Sequence, residues 1–295
     1  MAKRTRTPAW AKAYQRSFAT LTRNTVRAGT RALRQAAQPT LAKYKAPPGA
    51  GDWLAGMVMG IAGTRRYWLY RPPGVQPGER LPLLVMLHGC GQDARRFALS
   101  TRMNRIAARE RFLVLYPEQD RLANAQGCWN WFDTQSGRAW GEAALILRAI
   151  DQTCLLYAAD PSRIALAGMS AGASMAALLV TRHPARFQAV VMHSGIPPGT
   201  AHSGMSALGA MHGLRATRPL LASPDAMAAV WPPLLVIHGS ADHVVAVSNG
   251  HAAVQAWAGA AGACAAAPRT QQRGQRYPMT VTDFSRGRNT VATLV

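Results

Sequence analysis

The spacing Gly168-x-Ser170-x-Gly172 could present a serine hydroxyl for nucleophilic attack. A strand-like run at residues 163–167 precedes it and an Ala-rich stretch follows it, which predicts a sharp turn from a strand into a helix. Glycines allow such a turn because side chains would clash there, and the helix N-terminus would stabilise developing negative charge. A Gly/Ser turn without chemistry is the alternative, but the flanking strand and helix favour Ser170 as a nucleophile.

The sequence LHGCGQ at residues 87–92 could supply a second part of the same chemistry. A serine acyl transferase or hydrolase needs two backbone N–H groups aimed at the oxyanion. One usually belongs to the residue after the nucleophile, here Ala171, and the other to a loop after an early strand. We therefore predict that the backbone N–H groups of Cys90 and Ala171 form an oxyanion hole. His88 is interpreted as a residue packed under the loop and not as a base.

The third candidate is Asp242, within the sequence HGSADHVV at residues 238–245. A carboxylate after a late strand can hold a histidine in the required tautomer and stabilise its charged form. Asp242 also follows Ser170 in the chain, as such an acid does in one large class of hydrolases. An Asp that caps the following helix is the alternative, but the HGxxDxxV context favours Asp242 as the acid.

Strands and helices must hold these loops together, and the sequence alternates between the two beyond residue 51. Continuous apolar strands are expected where helices cover both faces of a parallel sheet. We therefore predict an α/β fold with a mostly parallel central sheet flanked by helices. Residues 196–231 fit no core element and are expected to pass over the sheet. The strand-like runs are residues 66–71, 83–87, 112–116, 163–167, 189–192, 234–237, 279–284 and 290–295, and the helix-like stretches are 141–157, 171–182 and 252–258.

The composition excludes several classes of protein. The chain has 295 residues, 48% of them hydrophobic, which is far above a disordered chain and enough for a large core without disulfides or metals. No apolar run reaches the ~20 residues of a membrane helix. Four cysteines, none of them in a CxxC pair, predict neither a disulfide scaffold nor a zinc site. No metal or organic cofactor is implied.

The net charge of +21 is unevenly distributed, since residues 1–46 carry 11 Lys and Arg and no acidic residue. A cluster of Pro and Gly at residues 46–51 follows. We predict a basic N-terminal arm at 1–46 and a hydrolase-type domain at 47–295. The arm is interpreted as a solvated or loosely helical segment, with binding to an anionic polymer or membrane surface as the alternative function. No recognition motif accompanies the charge, so specific nucleic-acid binding is not expected.

These stretches, together with YPEQ at residues 116–119 and CWNWF at 128–132, resemble the esterase/poly(3-hydroxybutyrate) depolymerase family of the α/β-hydrolase superfamily. The resemblance begins at about residue 50 and leaves out the basic arm. It implies the α/β-hydrolase fold and hydrolysis of poly(3-hydroxybutyrate)-type polyesters or short-chain and hydroxyacyl esters through an acyl-enzyme. Feruloyl or acetylxylan esters are the alternative substrates. The family favours secretion, whereas the chain has no Sec signal peptide, which favours the cytoplasm.

Three aromatic residues in the CWNWF stretch, Trp129, Trp131 and Phe132, could line a groove for an apolar polyester or an aromatic acyl group. Equally, the two tryptophans could fill the region beneath the neighbouring loop. A disulfide between Cys90 and Cys128 would fit an oxidising compartment, but the sequence leaves this pairing open.

The predicted triad lacks a base. The resemblance implies a histidine on a loop after the last strand, in a stretch like Gly-x-Gly-His, and Val295 lies in what is predicted to be that strand. Only His243 and His251 follow Asp242. His243 is kept as a poor substitute because it is adjacent to the acid, and His251 begins an Ala-rich helix. We therefore expect no catalytic histidine in this chain and weak esterase activity. A fold truncated at its C-terminal end is the favoured explanation, and a natural variant without a base is the alternative.

Overall fold

A computed structural model describes residues 45–215 and 231–295 of the chain. The predicted arm lies outside these residues, apart from its last two positions. Residues Ala46–Val295 form one compact unit. The strands are β1 Asp52–Gly60, β2 Gly63–Arg71, β3 Leu81–Leu87, β4 Leu113–Pro117, β5 Ala159–Met169, β6 Ala189–His193, β7 Leu234–Ile237, β8 Cys264–Ala265, β9 Arg269–Gln271, β10 Met279–Arg286 and β11 Asn289–Leu294. The α-helices are α1 Ala94–Thr101, α2 Met103–Glu110, α3 Arg138–Leu156, α4 Ala171–Arg182, α5 Gly204–Met211 and α6 Ser248–Ala261.

The strands form a mixed sheet in the order β1-β2-β4-β3-β5-β6-β7-β11-β10-β8, and β9 pairs with β10. The central run from β4 to β11 is parallel. Antiparallel strands close both edges, with β1 and β2 on one side and β10 and β8 on the other. The predicted mostly parallel α/β sheet is confirmed. The carboxyl ends of the parallel strands meet at one edge, and the loops that carry the candidate site residues leave from there.

Helices cover both faces of the sheet, and this explains the continuous apolar strands. All five residues of β4 are buried. On one face, Ile146 and Ile150 of α3 and Trp257 of α6 belong to the large core cluster. On the other face, Phe97 of α1 and Ala107 of α2 pack in a second cluster against β2 and β4. A strand that is buried on both faces has no solvent-facing side, so its sequence does not alternate between polar and apolar residues.

The eight predicted strands are all present, but the edge strand β1 was not predicted. Its Met57 and Met59 are 51% and 68% exposed, so the apolar pattern of β1 does not match one buried face. Pairing with β2, from Asp52 opposite Arg71 to Gly60 opposite Gly63, supplies its regularity instead. Edge strands take much of their order from such long-range pairing.

The expectation that residues 196–231 contain no core element is wrong for part of that range. Helix α5 begins with a capping box in which Ser203 and Ser206 satisfy each other's backbone N–H groups. The helix buries Ala207 and Ala210. Two small apolar side chains are enough to dock a short helix, although they leave little periodic signal. Among the residues that the structure describes, no helix is long and apolar enough to cross a membrane.

Candidate active site

Ser170 occupies a strained turn between β5 and α4. Its backbone has φ 53° and ψ −123°, a region that residues other than glycine rarely adopt. The Ser170 N–H donates to the carbonyl oxygen of His193 at 2.8 Å, which fixes the turn to the end of β6. A side chain at Gly168 would overlap the backbone of Gly172, so the chain can close this turn only with a glycine there. The predicted strand-to-helix turn is therefore present, with Ser170 at its tip.

The loop after β3, residues 88–92 and hereafter the Cys90 loop, lies directly beside this turn. Leu87 pairs with Gly168 across the parallel strands β3 and β5. A side chain at Gly172 would overlap the carbonyl oxygen of Leu87. One at Gly89 would lie 3.0 Å from the Met169 side chain. The two glycine positions thus allow the loop and the start of α4 to approach at backbone distance.

The two N–H groups predicted to bind an oxyanion are available on these neighbouring segments. Ala171 is the first residue of α4, so its N–H has no acceptor within the helix. Cys90 is exposed at the tip of its loop. Within residues 45–215 and 231–295, neither N–H donates to a backbone carbonyl outside regular helices and strands. Two unpaired donors on adjacent segments are what an oxyanion hole requires.

Segment 126–129 is bonded to the Cys90 loop at two positions. Cys90 and Cys128 form a disulfide, the pairing that the sequence left open. The Gly91 N–H donates to the carbonyl oxygen of Gln126 at 2.9 Å. A covalent bond and a backbone hydrogen bond therefore tie the exposed part of the loop to one neighbouring segment.

His88 is packed beneath the Cys90 loop, as interpreted from the sequence. The residue is 1% exposed. Its Nε2 accepts a hydrogen bond from the Gln119 N–H at 3.1 Å, so the proton sits on Nδ1, which lies 2.8 Å from the carbonyl oxygen of Gly89. Burial lowers the pKa of His88 below its usual value. Both ring nitrogens are occupied, and His88 has no free nitrogen with which to act as a base.

The expectation that Trp129 and Trp131 line an aromatic groove is wrong, because both side chains are buried. Trp129 is fully buried and its Nε1 donates to the carbonyl oxygen of His88 at 3.0 Å, while Trp131 is 6% exposed. These rings fill the region beneath the loop, which was the alternative interpretation. Phe132 is half-buried and meets Trp131 edge-on at 5.7 Å between ring centroids. Of the three aromatic residues, Phe132 alone retains an accessible face.

Asp242 lies on the loop after β7, at the same end of the sheet as Ser170. Its Oδ1 accepts hydrogen bonds from the N–H groups of Val244 and Val245, each at 2.9 Å. Its Oδ2 lies 3.6 Å from Nε2 of His238. Burial by itself would raise the pKa of Asp242, but the N–H donors of Val245 and Val244, together with Ser194 and His238, hold it below its usual value. Asp242 is thus an ionised carboxylate.

All eight histidines of the chain lie among the described residues. In that part of the chain, none has a ring nitrogen hydrogen-bonded to the Ser170 hydroxyl. His243, the poor substitute, is exposed. His238 is buried, with Nε2 at 2.9 Å from the carbonyl oxygen of Val245, and it supports the Asp242 loop. The structure thus brings Ser170, the N–H groups of Cys90 and Ala171, and Asp242 to one edge of the sheet, and none of the described histidines is hydrogen-bonded to Ser170.

Sequence reasoning missed the buried polar residues beneath this edge. Glu142, Arg65 and Gln119 are 3%, 2% and 7% exposed and lie behind the Cys90 loop. A single Glu within an Ala-rich helix is a weak signal, because such residues usually face solvent. In the described part of the chain, no group of three or more His, Cys, Asp or Glu residues is placed to hold a metal ion.

The sheet order, the strained serine after β5 and the acid after β7 define an α/β-hydrolase fold. The model of the family described as esterase PHB depolymerase matches residues 65–274. The chain therefore belongs to that family.

Several known proteins are similar to this chain. Poly(3-hydroxyalkanoate) depolymerase C of Paucimonas lemoignei is 31% identical over 192 residues, which is 59% of this chain and 44% of the depolymerase. Acetylxylan esterase A of Emericella nidulans is 24% identical over 209 residues, covering 66% of this chain and 67% of the esterase. The solved acetyl xylan esterase from Aspergillus awamori superposes with a TM-score of 0.68 at 20% identity, covering 83% of this chain and 92% of that one. The chain thus spans less than half of the depolymerase.

Proposed function

We propose that this protein is a serine ester hydrolase in which Ser170 attacks the ester carbonyl. The N–H groups of Cys90 and Ala171 stabilise the oxyanion, and an acyl-enzyme forms that water then hydrolyses. Asp242 is the acid that would orient a histidine base and stabilise its charged form. None of the described histidines is hydrogen-bonded to Ser170 as that base. The observation that carries the proposal is the strained Ser170 turn packed against a loop with an unpaired N–H group.

The substrates that we propose are poly(3-hydroxybutyrate)-type polyesters or short-chain and hydroxyacyl esters. Family membership and the similarity to a polyhydroxyalkanoate depolymerase support this choice. Acetylxylan or feruloyl esters are the second candidate, supported by the similarity to acetylxylan esterase A. Rates on 3-hydroxybutyrate oligomers, acetylated xylan and methyl ferulate, measured side by side, separate the two candidates.

Hydrolysis of p-nitrophenyl butyrate, with and without added imidazole, tests the chemistry. Because no histidine is hydrogen-bonded to Ser170, we expect slow turnover that imidazole accelerates. A site with an oxyanion hole and an incomplete triad retains roughly 10³–10⁴-fold catalysis over water. Imidazole also attacks the ester directly, so Ser170→Ala at the same imidazole concentration supplies the background. Equal rates for the two proteins under both conditions contradict the proposal.

We also propose that the basic arm, residues 1–46, binds an anionic surface. Its charge supports this, with 11 Lys and Arg and no acidic residue. Binding of this kind weakens at high salt. We expect the protein to be retained on vesicles in which about one lipid in three is anionic. Retention should be lost in about 0.5 M salt, where the screening length is only ~4–5 Å. It should also be lost when the arm is deleted. Retention that survives the deletion contradicts it.

A further inference from the structure

Glu142 is a buried carboxylate that the proposed chemistry does not use. It projects from the first turns of α3 toward segment 119–130 and is 3% exposed. Its Oε2 accepts from the Asn130 N–H at 2.9 Å. Its Oε1 accepts from Asn130 Nδ2 and from Gln119 Nε2, each at 2.7 Å. Three short hydrogen bonds to one buried carboxylate fix it in place.

Arg65 supplies the opposite charge. It is 2% exposed, and its Nη1 donates to the side-chain oxygen of Gln119 and, at 3.2 Å, to the carbonyl oxygen of Glu118. Its guanidinium also lies 5.5 Å from the ring centroid of Trp129. Burial lowers the pKa of Arg65, and the charge of Glu142 opposes that shift. Gln119 thus bridges two buried charges, donating to one and accepting from the other.

The residues that Glu142 holds are the ones that hold the Cys90 loop from below. The Gln119 N–H donates to Nε2 of His88 at 3.1 Å, and the Gln119 side chain donates to the carbonyl oxygen of Cys128 at 2.9 Å. Asn130 is joined through the chain to Trp129, whose indole donates to the carbonyl oxygen of His88. Cys128 carries the disulfide to Cys90. A continuous series of hydrogen bonds and covalent bonds therefore connects Glu142 to the Cys90 loop.

We propose that Glu142 is a positioning residue for the oxyanion hole, which sets the place of the Cys90 N–H by fixing Gln119 and Asn130. The proposal rests on the proposed function for its catalytic consequence, but not for its structural one. Glu142 itself touches no reacting atom. An apolar or amide side chain could fill the same space, and only an ionised carboxylate accepts all three hydrogen bonds while balancing Arg65.

Glu142→Gln tests this assignment with the smallest change of shape. The new amide group would point an N–H donor at another donor, and it would remove the larger of the two negative charges that act on Arg65, leaving Asp120. Loss of a whole oxyanion donor costs roughly 10²–10³-fold in turnover. A displaced donor should cost less, so we expect a decrease of about 10- to 100-fold in kcat with little change in KM.

Hydrogen exchange of the full chain gives a readout that does not depend on catalysis. The Gly91 and Gln119 N–H groups are both hydrogen-bonded in this assembly, so they should be protected. In Glu142→Gln we expect both to exchange about tenfold faster or more, which corresponds to ~1.4 kcal/mol of lost protection. Ile150→Val, a fully buried position on the same helix, is the control for a general loss of stability.

The double variant Glu142→Gln with Asn130→Asp provides the rescue. It exchanges the amide and the carboxylate across the hydrogen bond between residues 130 and 142 and keeps one buried negative charge in the same cluster. We expect slower exchange of the loop N–H groups and higher kcat than in Glu142→Gln alone. A purely structural role predicts that both variants follow thermal stability, as Ile150→Val does, and that result overturns the proposal.

Failure of this proposal is distinguishable from failure of the proposed function. Loop exchange that is unchanged in Glu142→Gln overturns the positioning role, whatever Ser170→Ala does. Turnover that survives in Ser170→Ala overturns the proposed function, whatever the exchange rates are. Faster loop exchange in Glu142→Gln with kcat unchanged also overturns the positioning role, because the Cys90 N–H would then not contribute to the rate.

Discussion

Replacing Ser170 by glycine should stabilise the folded protein while it removes the proposed nucleophile. The backbone of Ser170, at φ 53° and ψ −123°, lies in a region that costs a non-glycine residue roughly 1–3 kcal/mol. Glycine adopts positive φ without that cost. The Ser170 side chain makes no capping hydrogen bond to α4, so its removal loses little at the helix start.

The expected gain follows from two opposing terms. Glycine releases the backbone strain, but its greater freedom in the unfolded chain costs about 0.4–1 kcal/mol. The difference is a net stabilisation of about 1 kcal/mol. For a folded unit of this size, that corresponds to a rise in Tm of roughly 2–4 °C. Ser170→Ala is the matched control, because alanine also lacks the hydroxyl but keeps the strained backbone.

Thermal and urea unfolding of wild type, Ser170→Ala and Ser170→Gly measure this difference. We expect the glycine variant to unfold roughly 2–4 °C above the alanine variant, with the same dependence on urea. A glycine variant that is no more stable than the alanine variant would show that the turn stores no strain. The inference that the fold holds the proposed nucleophile Ser170 in a strained backbone conformation would then be wrong.

Three further predictions concern the surroundings of Ser170. Gly172→Ala should destabilise by about 1–3 kcal/mol, measured by urea unfolding, since its Cβ would overlap a carbonyl oxygen of β3; Gly259→Ala on α6, where the space is open, should not. Cys128→Ser should cost about 4 kcal/mol by removing a disulfide that spans 38 residues, whereas Cys264→Ser should be neutral by the same measurement. Because the pKa of Asp242 is lowered on folding, its stabilising contribution is complete above the unfolded value of about 4 and disappears as pH falls through the folded value. Asp242→Asn should therefore reduce stability at neutral pH and narrow the difference from wild type in acid, followed by unfolding at several pH values; a constant difference would contradict this.

The central sheet could be predicted because its strands are buried on both faces. Runs such as those of β3 and β4 are apolar throughout, and a short continuous apolar run is typical of a strand that is buried on both faces of a parallel sheet. The Ser170 turn could be predicted for a related reason, since the glycines on either side mark a backbone that approaches another backbone. Both signals are local in sequence.

The parts that escaped prediction depend on contacts distant in sequence. Helices α1 and α2 are rich in arginine, and each buries only a few side chains, among them Phe97 and Ala107. The assembly of Glu142, Gln119 and Arg65 joins three segments of the chain, and its hydrogen-bonded pairs are 23 and 54 residues apart. A buried charge becomes recognisable only when its partner is known, and no spacing rule reveals that partner.

Covalent labelling of Ser170 tests the central claim most directly. The chain is incubated with a p-nitrophenyl phosphonate, which acylating serine hydrolases attack as they attack an ester, and the modified peptide is identified by mass spectrometry. We predict one phosphonyl group on Ser170, released p-nitrophenolate in equal amount, and no labelling of Ser170→Ala or of urea-unfolded protein. Labelling at another residue, or equal labelling of native and unfolded protein, would contradict the assignment of Ser170 as the nucleophile.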